Sequence, residues 1–73
     1  MFSVSLQRDG HVRHYSIQQS GSDGWEVKLE ADAQLARHHN YHDWHRVERA
    51  RAVFTSEVVE LKARGWQVIA GDT

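Results

Sequence analysis

From Phe2 to Gln7 apolar and polar residues alternate, with Phe2, Val4 and Leu6 on one side and Ser3, Ser5 and Gln7 on the other. A period of two is that of a strand with one buried face. Asp9-Gly10 follows, a pair suited to the type I′ turn, whose two central residues both take positive φ. Folding the chain about that pair sets Leu6 against Arg13, Val4 against Tyr15 and Phe2 against Ile17, so the apolar sides of two strands coincide. After the polar stretch Ser20-Gly21-Ser22-Asp23-Gly24, Trp25, Val27 and Leu29 alternate with Glu26, Lys28 and Glu30 and predict a third strand. A three-residue loop from Ala31 to Ala33 is expected to lead to a weaker fourth strand, from Gln34 to about Asn40, with Leu35 opposite Leu29. Its weakness lies in Arg37, His38, His39 and Asn40, none of them a strong strand former.

From Asp43 the period lengthens. Trp44, Val47, Arg51, Phe54, Val58 and Leu61 recur three or four residues apart, which predicts one helix running to about Arg64. Asp43 suits the N-cap, where a carboxylate accepts bonds from free first-turn amides. Gly65 suits the position just past the end, with Trp66 and Leu61 in contact across a Schellman ending. The tail from Gln67 to Ile69 adds a short strand or packs against the sheet. These elements predict a single α+β domain over residues 1–73: an antiparallel β-meander of three to four strands followed by one long C-terminal helix packed on one sheet face. Neither sheet nor helix buries its apolar side alone, so the two must meet. The expected core is Val4, Leu6, Tyr15, Ile17, Trp25, Val27, Leu29, Val47, Phe54, Val58 and Leu61. Val12 and Val68 are candidates for an apolar patch outside it.

With 73 residues the domain has a small core, which makes self-association, including a homodimer, an expectation. The formal net charge of −1 gives no electrostatic drive toward DNA, RNA or anionic lipid. Six histidines would carry that charge to +5 if all were protonated. There is no cysteine, which removes disulfides, thiolate metal sites and cysteine nucleophiles, and favours a cytoplasmic location. No signal peptide is recognised at the N-terminus, and no run approaches the roughly 20 apolar residues of a membrane span.

The segments GWEVKLE at residues 24–30, DWHRVERA at 43–50 and ARGW at 63–66 together resemble a group of short proteobacterial proteins with no assigned function. The resemblance covers most of the chain and implies a single small domain, with no activity attached. A fainter likeness to WGR domains lies in a helix closed by a glycine-aromatic pair, here Gly65-Trp66. The Trp-Gly-Arg run is missing, so that family's nucleic-acid role is not carried over. The succession of four strands and a helix is also similar to PUR-type single-strand-binding folds. The outward residues here, among them His14, Glu26, Lys28 and Glu30, lack the stacked aromatics and basic groove that such binding needs.

Two clusters carry candidate chemistry. His38, His39, His42 and His45 lie within eight positions, and imidazoles ligate zinc, nickel or copper. They straddle a strand-to-helix junction without a cysteine, so solvent-exposed histidines beside a turn are the expectation and no metal or cofactor is assigned. The second cluster is His42, His45, Arg46 and Arg49 at the start of the helix. Cations there oppose the helix dipole, which is already positive at that end. A local rule broken without gain points to an anion-binding site, where arginines and free helix amides converge on a carboxylate or phosphate. The alternative is structural: Asp43 and Glu48 neutralise the cluster while Arg46 and Arg49 pair with sheet carboxylates such as Glu26 or Glu30. Catalysis finds little support, since neither a nucleophile elbow nor a P-loop is present. The expected function is a noncatalytic protein-interaction module that self-associates; the alternative is a nucleic-acid or anion binder using the basic cluster.

Overall fold

The computed structural model describes residues 2–21 and 24–72. Ser22 and Asp23 of the polar connection lie outside the described residues. Five strands and one helix follow in order: β1 (Phe2–Arg8), β2 (His11–Ser20), β3 (Gly24–Ala31), β4 (Gln34–Tyr41), α1 (Trp44–Ala63) and β5 (Gln67–Asp72). The strands form one antiparallel sheet in the order β4-β3-β2-β1-β5. The expected three to four strands therefore become five. The tail is a full edge strand, because the helix carries the chain back across the sheet to the free side of β1.

The first hairpin follows from its turn. Asp9 and Gly10 both take positive φ, and Leu6, Val4 and Phe2 stand opposite Arg13, Tyr15 and Ile17. The β3–β4 connection differs from the expected three-residue loop. It is a two-residue turn, with Asp32 and Ala33 both at positive φ and Ala31 opposite Gln34. The Asp32 side chain explains the choice: it accepts the Val12 backbone N–H at 2.8 Å and bonds the His11 ring at 2.9 Å, while Asp32 N–H donates to Val12 O. The turn is thereby tied to β2.

This turn shifts the register of β4. Leu35 pairs with Glu30 and is exposed, and Arg37, not Leu35, stands opposite Leu29. Ala36 is the extra residue of a bulge between the two pairs. Beyond the bulge, Arg37, His39 and Tyr41 share the face of Leu29, Val27 and Trp25, which is the face the helix covers.

Asp43 caps α1, its carboxylate accepting the His45 N–H at 2.9 Å. At the other end Gly65 takes φ +96°, Trp66 N–H donates to Leu61 O and Gly65 N–H to Lys62 O, the two bonds of a Schellman ending. The core between sheet and helix is Phe2, Val4, Leu6, Tyr15, Ile17, Val27, Leu29, Val47, Phe54, Val58 and Leu61. Phe54 is its hub, with ring centroids 4.8 Å from Tyr15 and 6.1 Å from Phe2. Trp25 sits at the rim rather than in the core, its ring centroid 5.1 Å from that of a half-exposed Trp44 and tilted 57° to it. Val12 and Val68 form no common patch: Val12 shares the face of His14, and Val68 pairs with core-facing Leu6. No helix among the described residues is long and apolar enough to cross a membrane.

Candidate functional site

One helix on five strands leaves a cleft along each of its flanks. Residues 46, 49, 50, 53 and 57 form a single stripe along α1, since positions three and four apart share a helix face. This stripe overlooks β4. Between them lies a groove of about 400 Å3, walled by Arg46 and Arg49 on the helix and by Arg37, His39 and Tyr41 on the strand. Its floor is apolar, made by Val27, Ala50 and Phe54, with Val53 on the rim. None of the lining side chains is a carboxylate.

The groove's deep end is fixed by a polar cluster. Arg37 donates to both Glu57 carboxylate oxygens, at 2.5 and 3.0 Å, and its guanidinium lies 5.8 Å from the Phe54 ring centroid. The Tyr15 hydroxyl donates to the same carboxylate at 3.1 Å. Bonding to Arg37 holds the Glu57 carboxyl below the usual range, and bonding to Glu57 raises Arg37. Burial pushes the Tyr15 phenol up. Glu57 thus compensates Arg37 and leaves the groove's other two arginines uncompensated. The first turn of α1 carries no acidic residue, so the positive end of the helix dipole reinforces them.

The sequence-predicted anion residues divide. Arg46 and Arg49 face the groove, whereas His42 and His45 do not line it. His45 is exposed on the first turn, and the His42 ring lies over Gly24, its Nδ1 3.5 Å from where a Cβ there would stand. Of the four, the fold brings Arg46 and Arg49 together with Arg37, His39 and Tyr41 of β4. The structural alternative, arginines paired with sheet carboxylates, does not form. Glu26 lies on the opposite face of the sheet, bonded to His38 at 2.9 Å and 3.6 Å from Lys28 Nζ. Glu30 shares that face, and Glu48 lies on the far side of α1 beside Trp44 and Arg51. No ion pair forms between Arg46 or Arg49 and a carboxylate among the described residues.

The histidine run also separates. His38 points to the open sheet face, His39 stacks on Tyr41 with centroids 5.7 Å apart, and His42 and His45 follow the turn. No three His, Cys, Asp or Glu among the described residues are placed to hold a metal ion. Arg37 and Tyr41 escaped the sequence reading as site residues, and His39 entered it only as a candidate metal ligand. Their alternation at positions 37, 39 and 41 was a usable signal, but the bulge that decides which face they take lies in the backbone.

The second flank differs in character. Phe2, Val4, Val58, Val59 and Val68 line a cleft of about 420 Å3 between α1 and β5, with Arg51 and Lys62 at its margin. No family model, curated protein or solved structure matches the chain.

Proposed function

We propose that this protein is a noncatalytic protein-interaction module that binds an anionic stretch of a partner in the groove between β4 and α1. The supporting observation is that Arg46 and Arg49 stand beside the groove with no carboxylate in ion-pairing distance among the described residues. Leaving two cations near a helix N-terminus is locally unfavourable, and an incoming carboxylate or phosphate relieves it. The apolar floor and the His39–Tyr41 stack add contact area for the part of the partner that carries the charge. A glutamate-rich peptide should bind at low salt and weaken as salt rises, because the groove's charges are exposed. Calorimetry with R46E/R49E is the test: undiminished binding by that variant would exclude the groove.

Self-association is a second reading, supported by a different edge. Strand β5 has no charge and no proline from Gln67 to Gly71, and Val68 and Ile69 are exposed. Such an edge has no lysine or proline to block pairing with a second copy, and its one irregularity is the bulge against β1 at Ile69. Sedimentation equilibrium tests it; a monomer at high protein concentration would end it. The lack of cysteine supports a reducing compartment as the working location.

A further inference from the structure

The form of the partner follows from the strand that walls the groove. β4 is the outermost strand of its side, and among the described residues no strand pairs with its outer edge. From Arg37 to Tyr41, beyond the bulge at Ala36, alternate backbone N–H and C=O groups therefore face outward. A chain laid along that edge would take up those groups and lie about 4.8 Å from β4. Its side chains would alternate between the open face and the helix face, and those on the helix face would overhang the groove toward Arg46 and Arg49.

We propose that β4 accepts an extended acidic segment of a partner protein as a sixth strand, with alternate carboxylates set against Arg46 and Arg49. The inference rests on the anionic reading of the groove. Charge decides among occupants. A second copy pairing through its own β4 would bring no carboxylate to Arg46 and Arg49, since β4 from Gln34 to Tyr41 contains none. A nucleic acid supplies phosphate but has no peptide edge to match β4, and Glu26 and Glu30 on the open face repel it. An acidic strand satisfies both the backbone edge and the arginines.

The test is fluorescence anisotropy on the full chain with a labelled ten-residue peptide of alternating Glu and Thr. Two further peptides carry N-methyl groups on the odd-numbered or the even-numbered amides. Only one set of amides faces β4, so one methylated peptide should lose at least tenfold in affinity and the other should bind nearly as the parent does. R46E/R49E should cost at least tenfold with all binding-competent peptides. Equal affinity of both methylated peptides and the parent would overturn the added strand and leave the anionic groove standing. No binding by any acidic peptide would overturn both. Displacement of the parent by a single-stranded ten-nucleotide oligomer at a lower concentration than unlabelled peptide would overturn the protein partner in favour of nucleic acid.

Discussion

The two edges of this sheet differ in how they meet water. On β4 the edge is imidazole-rich and without carboxylates, every residue but Tyr41 is exposed, and the groove behind it holds two arginines that form no ion pair among the described residues. On β5 the edge is uncharged from Gln67 to Gly71, and the cleft behind it is walled by valines and Phe2 with Arg51 and Lys62 at its margin. One helix makes both: beside its core stripe of Val47, Phe54, Val58 and Leu61 it sets Arg46 and Arg49 over the β4 flank, and Val59 with Arg51 and Lys62 over the β5 flank. The contrast teaches that one helix laid on a small sheet can leave two chemically non-equivalent edges. β4 holds no carboxylate from Gln34 to Tyr41, whereas β5 is uncharged from Gln67 to Gly71 and ends in Asp72.

The largest expected effect removes the comparison altogether. Phe54 is buried between Phe2 and Tyr15, and its side chain lies under the basic groove. Phe54→Ala should cost about 3–5 kcal/mol, a large fraction of what so small a domain has. Thermal unfolding should show the transition lowered below working temperature or lost.

Next comes the bond that fixes the basic side. Glu57→Ala removes the acceptor for Arg37 and for the buried Tyr15 hydroxyl and should cost about 1–2 kcal/mol in urea unfolding. Glu57 titrates below its ordinary value in the folded state. Its contribution is therefore present above the unfolded carboxylate range of about pH 4.3, and is lost as pH falls through the lower folded value. Glu57→Gln should flatten that part of the pH–stability curve; an unchanged acid limb would show that other carboxylates set it.

A smaller effect should sharpen the β4 side. Ala33 holds φ 65°, a conformation that costs a residue with a Cβ roughly 1 kcal/mol. Ala33→Gly should raise stability by about 0.5–1 kcal/mol, read as a higher urea midpoint with unchanged slope.

R46E/R49E places acidic groups beside the helix N-terminus and should raise stability by a few tenths to about 1 kcal/mol, while abolishing acidic-peptide binding. A gain in stability with a loss of binding marks residues kept for an interaction. On the opposite flank, Val68→Lys should change stability by less than about 0.5 kcal/mol, leave peptide binding intact and abolish any self-association.

Much of this architecture is legible in the residues. Alternation in β1 to β3, Asp9-Gly10 and the 3.6 period after Asp43 set strands, turn and helix, since each is a local preference that the core then uses. Asp43, Gly65 and Trp66 mark the helix ends because capping is chemistry of a few adjacent residues. The misjudged parts depend on contacts distant in sequence. The β3–β4 turn is chosen by a bond from Asp32 to Val12, and the face of Arg37 by the bulge at Ala36. β5 forms because α1 returns the chain to the free edge of β1, which a stretch as short as QVIAGD does not announce. The candidate site was half visible: Arg46 and Arg49 stood out as cations against a helix dipole, while their neighbours on β4 needed the register.

The most direct measurement is a nitrogen-15 amide NMR titration of the labelled chain with the alternating Glu-Thr peptide at low salt. The account predicts shifts concentrated on residues 34–41 and 46–53, with residues 67–72 unmoved. Shifts centred on β5, or none at saturating peptide, would contradict it.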